Sequence, residues 1–347
     1  MICGTIPVNF IFGPNWWFHH YGISFEKPFY LDPETRIRND VTMRRVLYER
    51  FGFGQARPEP RPIIGSRQIA GGFVVPALLG VQIRFCNDQA AWPVPSSLGR
   101  DSILALRVPE IRATWPTSEL FAQMDDLERQ FGYVVGDLNP AGLLNTALEV
   151  RGQQFFMDLV EDSELSDHLF GVIAETQARV SELVRERTGT SSIATNRSIV
   201  DLDPSICLTS NCSNHMISVE LYKRRMFKFE QQLAARLRPF GVHHCGNNLH
   251  KYAEPYQSLD ASFFDVGWGS DVACCSAAFP TAFLNLRMDP VTMMRSSAEE
   301  IYHTGLRLLR ECGRRDRVGL CCINMDRETP DANVHALMRA AADFSKN

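Results

Sequence analysis

Long apolar runs are missing. No stretch of about 18 or more consecutive uncharged apolar residues occurs, which argues against a membrane-spanning helix. A basic excess is missing too. The 36 Lys and Arg are outnumbered by 40 Asp and Glu, for a formal charge of −4, so no broad positive field is available for nucleic acid or an anionic membrane. The one Arg-rich stretch, "RECGRRDR" at 310–317, is short and interrupted by acids, as in a solvated helix end and loop. Low-complexity linkers are absent. The opening residues, "MICGTIPVNFIFGPNWWF", lack the basic start and sustained apolar core of an export signal, being broken by Pro7, Asn9, Gly13 and Pro14. A cytoplasmic protein is expected.

What is present suits a folded enzyme. Of the 347 residues, 45% are apolar and 22% charged, enough to bury a substantial core. Ten cysteines in this length do not make a disulfide scaffold, and the adjacent pairs Cys274-Cys275 and Cys321-Cys322 are awkward to bridge, so reduced thiols are expected.

The first hundred residues are rich in Pro, Gly and aromatics, and "RPEPRP" at 57–62 reads as an extended connector. Further on the pattern becomes regular. "PTSELFAQMDDLERQFG" (116–132) sets Leu120, Phe121, Met124, Leu127 and Phe131 on one helical face, with Thr117 or Ser118 as cap, and 164–187 reads as a second long helix. After residue 218, helix-length segments alternate with short apolar runs: helix 218–238, strand 240–244, helix 249–258, strand 261–266, helix 270–278, strand 282–286. Helix 297–312 follows, with Ser297 and Glu300 suited to a capping box, then strand 318–324 and a final helix opened by Thr329-Pro330. Repeated βα units imply parallel strands with helices outside. We expect an α/β fold, a (β/α)8 TIM barrel spanning 1–347 as a single domain, with 1–65 as an irregular N-terminal segment forming a lid or rim.

In such a barrel chemistry gathers where the strands end. "GVHHCGNNLH" (241–250) puts His243, His244 and Cys245 at one strand end; Asp265 ends the next, and Cys321, Cys322, Asn324 and Asp326 end a later one. An imidazole with two thiolates suits zinc, which leaves its fourth position open in catalytic sites. Buried cysteines on a strand are equally able to be simple packing.

At these residues the sequence resembles a known family. "VHHCGNN" followed by "DASFFDVGWGSD" is similar to the His-x-Cys-Gly-Asn segment of the methylcobamide:coenzyme M methyltransferase branch of the uroporphyrinogen decarboxylase superfamily. "EVRGQQFFMDLVEDSELSDHLFGVIAE" (149–175) and the terminal "CCINMDRETPDANVHALMRAA" resemble other segments of that superfamily in the same order, covering most of the chain from about residue 30. The resemblance implies zinc held by His243, Cys245 and Cys322. Cys321 stays open as the alternative third ligand, because only one of two successive strand residues faces the interior. The spacing from Cys322 to Thr329-Pro330 is one residue longer than in the branch, and Ile323 stands where the branch has glycine.

The function implied is a zinc-dependent methyltransferase working with a corrinoid carried on a separate protein and with a thiol or methoxylated small molecule. Zinc would either hold a thiol as thiolate or act as a Lewis acid on a leaving atom. Asp265 and Asn324 are the expected catalytic residues at the rim. Trp16, Trp17 and His19 of "GPNWWFHHYG", with Asn247, are the candidates to face the corrin, a core cluster or lid contact being the other account of most of these aromatics. "NCSN" (211–214) reads as a polar loop whose Ser213 or Asn214 caps a helix. One alternative is a metal-free decarboxylase, as in the superfamily's namesake. Those enzymes share an N-terminal Arg-Gln-Ala-Gly-Arg motif, whereas "GPNWWFHHYG" has no arginine. Another is a non-catalytic accessory protein that binds metal or corrinoid.

Overall fold

A computed structural model describes residues 6–65, 72–190 and 205–346. Its strands are β1 (Val8–Phe12), β2 (Ile63–Ile64), β3 (Ile83–Arg84), β4 (Trp92–Pro93), β5 (Val135–Gly136), β6 (Cys207–Ser210), β7 (Phe240–His244), β8 (Phe263–Val266), β9 (Phe283–Met288) and β10 (Val318–Met325). Six of them form one parallel sheet in the order β1-β10-β9-β8-β7-β6. β2 and β5 pair in parallel as a separate two-stranded ladder, and β3 and β4 make a small antiparallel one. The protein is thus mixed α/β with a parallel half-barrel. Strands such as β7 and β8 are buried at every position, as expected when both faces of a parallel sheet are covered.

The C-terminal half follows the periodicity closely. Helices Val272–Ala278, Ala298–Cys312 and Asp331–Lys346 alternate with β8, β9 and β10, and Ser297 and Glu300 complete the capping box. Three local details differ. The segment 218–238 breaks at Met226 into helices Val219–Arg225 and Phe227–Arg236. Thr117 does not cap the helix Thr117–Phe131, because Pro116 takes the cap position and Thr117 Oγ1 bonds back to the Thr114 carbonyl. The N-terminal 65 residues, expected to be irregular, supply a strand of the main sheet and helices Pro14–Tyr21, Lys27–Leu31 and Pro33–Phe51. Prolines obscured these helices in the sequence. Each has one in its first turn, where a missing N–H costs nothing and φ is already helical.

This regular N-terminal segment corrects the reading of its aromatics. Trp16 and Trp17 are 0% exposed and sit in the main apolar cluster against Phe12, Phe51 and Tyr21. Burial of this kind leaves neither ring face free for a corrin. His19 is exposed, but its Nε2 accepts from Arg327 Nη1 at 2.8 Å, outside the main cavity.

Gly142, before helix Leu143–Arg151, marks a close approach that positions the site. A Cβ there would lie 1.9 Å from the Ser210 carbonyl oxygen. Only glycine lets the chain beyond β5 press against the end of β6, and the helix it opens then faces the loop that follows β6.

Candidate metal centre

Register brings the polar residues into a row. His243 on β7 is level with Ser210 on β6 and Asp265 on β8, and Asp265 with Asn285 on β9. Because strand side chains alternate, these four point to one side of the sheet. Asp265, 0% exposed, accepts from His243 Nδ1 at 2.7 Å and from Asn285 Nδ2 at 2.6 Å. The carboxyl therefore fixes the imidazole with Nε2 turned outward, as carboxylate–histidine pairs do around metals. His243 Nε2 lies 3.0 Å from Cys245 Sγ, two residues further along.

The third donor comes from the neighbouring strand. Cys212 lies two residues past Ser210, on the same side of β6, and Asn211 N bonds to the His243 carbonyl at 2.7 Å, so the two strand ends are tied together. One atom each from Cys212, His243 and Cys245 lies within 4.8 Å of the others. Asn145, from the helix opened by Gly142, accepts from Ser213 N at 2.9 Å and hydrogen-bonds the Cys212 sulfur. All three donors line the wall of a cavity of about 790 Å³, whose other walls include Asn139, Ile323 and Asn324.

Cys322 is not part of this cluster. It pairs with Met288 and faces the main apolar core, and burial pushes its thiol up to about 12. Cys321 pairs with Arg287 and faces the same side as the site, but packs in a small cluster with Ile11 and Ile323. On β10 the residues that reach the cavity are Ile323 and Asn324, neither of which carries a sulfur or an imidazole. Alternation along the strand turns Cys322 away from the site, and Cys321, on the site's side, is taken up in packing with Ile11 and Ile323.

Charge is concentrated on Cys245. Its thiol is held well below its ordinary range, first by the hydrogen bond with Cys212 and then, against burial, by His243 and Arg287. Arg287 Nη1 donates to Cys245 Sγ at 3.2 Å, and its guanidinium lies 4.8 Å from the centre of the Trp268 ring. The Cys212 thiol is raised well above its ordinary range by the same bond to Cys245 and by burial, which makes it the donor of the pair. Burial opposes protonation of His243, yet the Cys245 charge and the Asp265 hydrogen bond outweigh it and hold the imidazole up at about 9. His244 points the other way. It contacts Tyr256 Oη at 3.0 Å and Asn248 Oδ1 at 2.9 Å, and burial lowers it to about 4.

The donor set fits zinc. Bonds of about 2.0–2.3 Å in a tetrahedron put donors about 3.3–3.8 Å apart. The 3.0 Å between His243 Nε2 and Cys245 Sγ must therefore open by roughly half an ångström, within the reach of side-chain rotation. Of the other expected site residues, Asn324 lines the cavity at a positive φ of 61°, whereas Asn247 is exposed and not among the residues that line it. Asn145 and Arg287 were passed over in the sequence, and Cys212 was set aside there in favour of a capping loop. The signals for them were a cysteine two residues beyond an apolar run and an arginine inside one.

Changing Asp265 to Asn keeps the shape but removes the acceptor that selects the His243 tautomer. Zinc affinity is expected to fall about 10–100-fold, read by competition with a chromophoric chelator. Unchanged affinity would mean that Asp265 does not orient the ligand.

No family model and no curated protein matches the chain. Among solved structures, a methyltransferase from Methanosarcina mazei is similar over 98% of this chain and 94% of its own, with a TM-score of 0.68 and 14% sequence identity. At that identity the likeness is one of fold. Among the described residues no helix is long and apolar enough to cross a membrane.

Proposed function

We propose that the protein is a methyltransferase with a zinc ion held by Cys212, His243 and Cys245, exchanging a methyl group between a small molecule in the cavity and a corrinoid on a separate protein. The observation that carries this reading is the convergence of two sulfurs and one imidazole on the wall of a ligand-sized cavity, with three protein donors and therefore one free position. The fold likeness to a methyltransferase supports it. We further infer that β2 and β5 complete the half-barrel to a closed (β/α)8 barrel, so that the site sits at the C-terminal rim.

Bound zinc would supply Lewis acidity toward the substrate heteroatom at the free position. The chain's own residues prepare that place. Asp265 holds the His243 ring, Asn145 and the Gly142 turn hold the Cys212 loop, and Arg287 offsets the charge on Cys245. Asn324, at the cavity wall, is placed to orient the substrate.

The decarboxylase alternative is disfavoured by charge. Among the described residues that line the cavity, Arg287 is the only Lys or Arg, against Asp88, Glu149 and Asp326, which is a poor match for a substrate carrying many carboxylates. A second reading draws on the aligned Asp265, His243 and Cys245: without metal, His243 and Arg287 beside Cys245 favour its thiolate, which can itself take an alkyl group from a donor whose leaving group departs with the bonding pair. Metal content separates the two.

The test is corrin spectroscopy. Zinc-loaded protein is mixed with methylcobalamin and a panel of thiols, and with reduced cobalamin and a panel of methoxylated compounds. A spectral change with at least one compound is expected. No change with any, zinc being present, would contradict methyl transfer and favour the accessory role.

A further inference from the structure

One acidic side chain of the cavity has no part in the ligand set. Glu149 lies one helical turn beyond Asn145, on the same helix face, and lines the same cavity as Cys212, His243 and Cys245. Its backbone carbonyl is pinned by Ser96 N at 2.8 Å, so the side chain springs from a fixed point. Its Oε2 is buried with no hydrogen-bond partner among the described residues. A buried carboxylate oxygen without a partner bears a large desolvation cost, which a protonated carboxyl avoids. Among the described residues no arginine or lysine pairs with it, and burial pushes its carboxyl up to about 8. Burial without a partner therefore favours an uncharged carboxyl at the cavity wall, a group able to donate a proton.

We propose that Glu149 is the acid that protonates the leaving heteroatom when a neutral methyl donor gives up its methyl group in this cavity. The inference rests on the methyl-transfer reading and gives it a direction and a donor class, an ether-type compound. In the step, the bond between the methyl carbon and the heteroatom breaks and its electron pair stays on the heteroatom. That atom takes the Glu149 proton, and the carbon is taken by a two-electron nucleophile, the reduced corrin of the partner. Solvent then returns a proton to the carboxylate. A methyl donor that is already cationic, a sulfonium, leaves as a neutral thioether and needs no proton.

The difference between the two donor types supplies the test. Zinc-loaded wild type and Glu149→Gln are compared with free reduced cobalamin as acceptor and with either a methyl ether or a methyl sulfonium as donor. Glutamine keeps the volume and cannot give up a proton. The variant is expected to lose about 10²–10⁴-fold with the ether and to stay within a few-fold of wild type with the sulfonium. Equal losses with both donors would reduce Glu149 to a structural role, and no loss with the ether would also overturn the proposal. An infrared difference spectrum of wild type minus variant at neutral pH, without any substrate, should contain the carbonyl band of a protonated carboxyl that shifts in deuterium oxide. Its absence would overturn the assignment independently of turnover. If wild type transfers methyl from neither donor, the methyl-transfer reading itself fails, an outcome distinct from a defect confined to the variant.

Discussion

Replacing Cys212 by alanine is expected to strip the protein of its zinc, whereas Cys322→Ala leaves the metal in place. Two of the three donors remain in Cys212→Ala, and the cluster loses the sulfur that the neighbouring strand contributes. Removing a partner of a ligand costs about 10–100-fold in metal affinity, so removing the ligand itself should cost more than about 100-fold. Cys322 lies in the apolar core, and its truncation should cost stability on the order of 1 kcal/mol without touching the metal. Metal analysis after gel filtration checks both variants. The reverse outcome, zinc retained in Cys212→Ala and lost in Cys322→Ala, would restore the ligand set implied by the sequence resemblance.

The second large effect concerns Trp16, which is fully buried against Phe12, Phe51 and Trp17. Trp16→Ala removes a whole indole from a packed core that cannot collapse around it, a loss of about 3–5 kcal/mol. Denaturant unfolding should show the unfolding free energy falling by that amount, with methyl exchange per folded molecule unchanged. A variant of normal stability that fails to engage cobalamin would return the tryptophan to the role of a corrin wall.

These two residues also mark where the sequence was legible and where it was not. Helices with one apolar face and strands buried on both faces carry their periodicity in the residues themselves, so β7 to β10 and the helices between them could be read directly. His243 and Cys245 were legible for the same reason, since both belong to one strand end. Choosing a third ligand required knowing which of two adjacent cysteines faces the site. It also required knowing that β6 lies beside β7 while β10 lies three places further along the sheet. Neither fact is local. The choice between core and corrin wall for Trp16 and Trp17 was closed to the sequence for a related reason: a proline- and aromatic-rich stretch gives no periodic signal, although here it forms a short helix between Gly13 and Gly22. Glu149 left no trace in the sequence at all, because an acid near a helix end is ordinarily solvated, and only the fold buries its Oε2.

The most direct measurement is X-ray absorption at the zinc edge of protein loaded with one equivalent of metal. Two sulfurs at about 2.3 Å and one imidazole nitrogen at about 2.0–2.1 Å are expected, with a fourth light atom that is replaced when a substrate is added. A protein that takes up no zinc, or a shell without sulfur, would contradict the metal centre and the chemistry assigned to it.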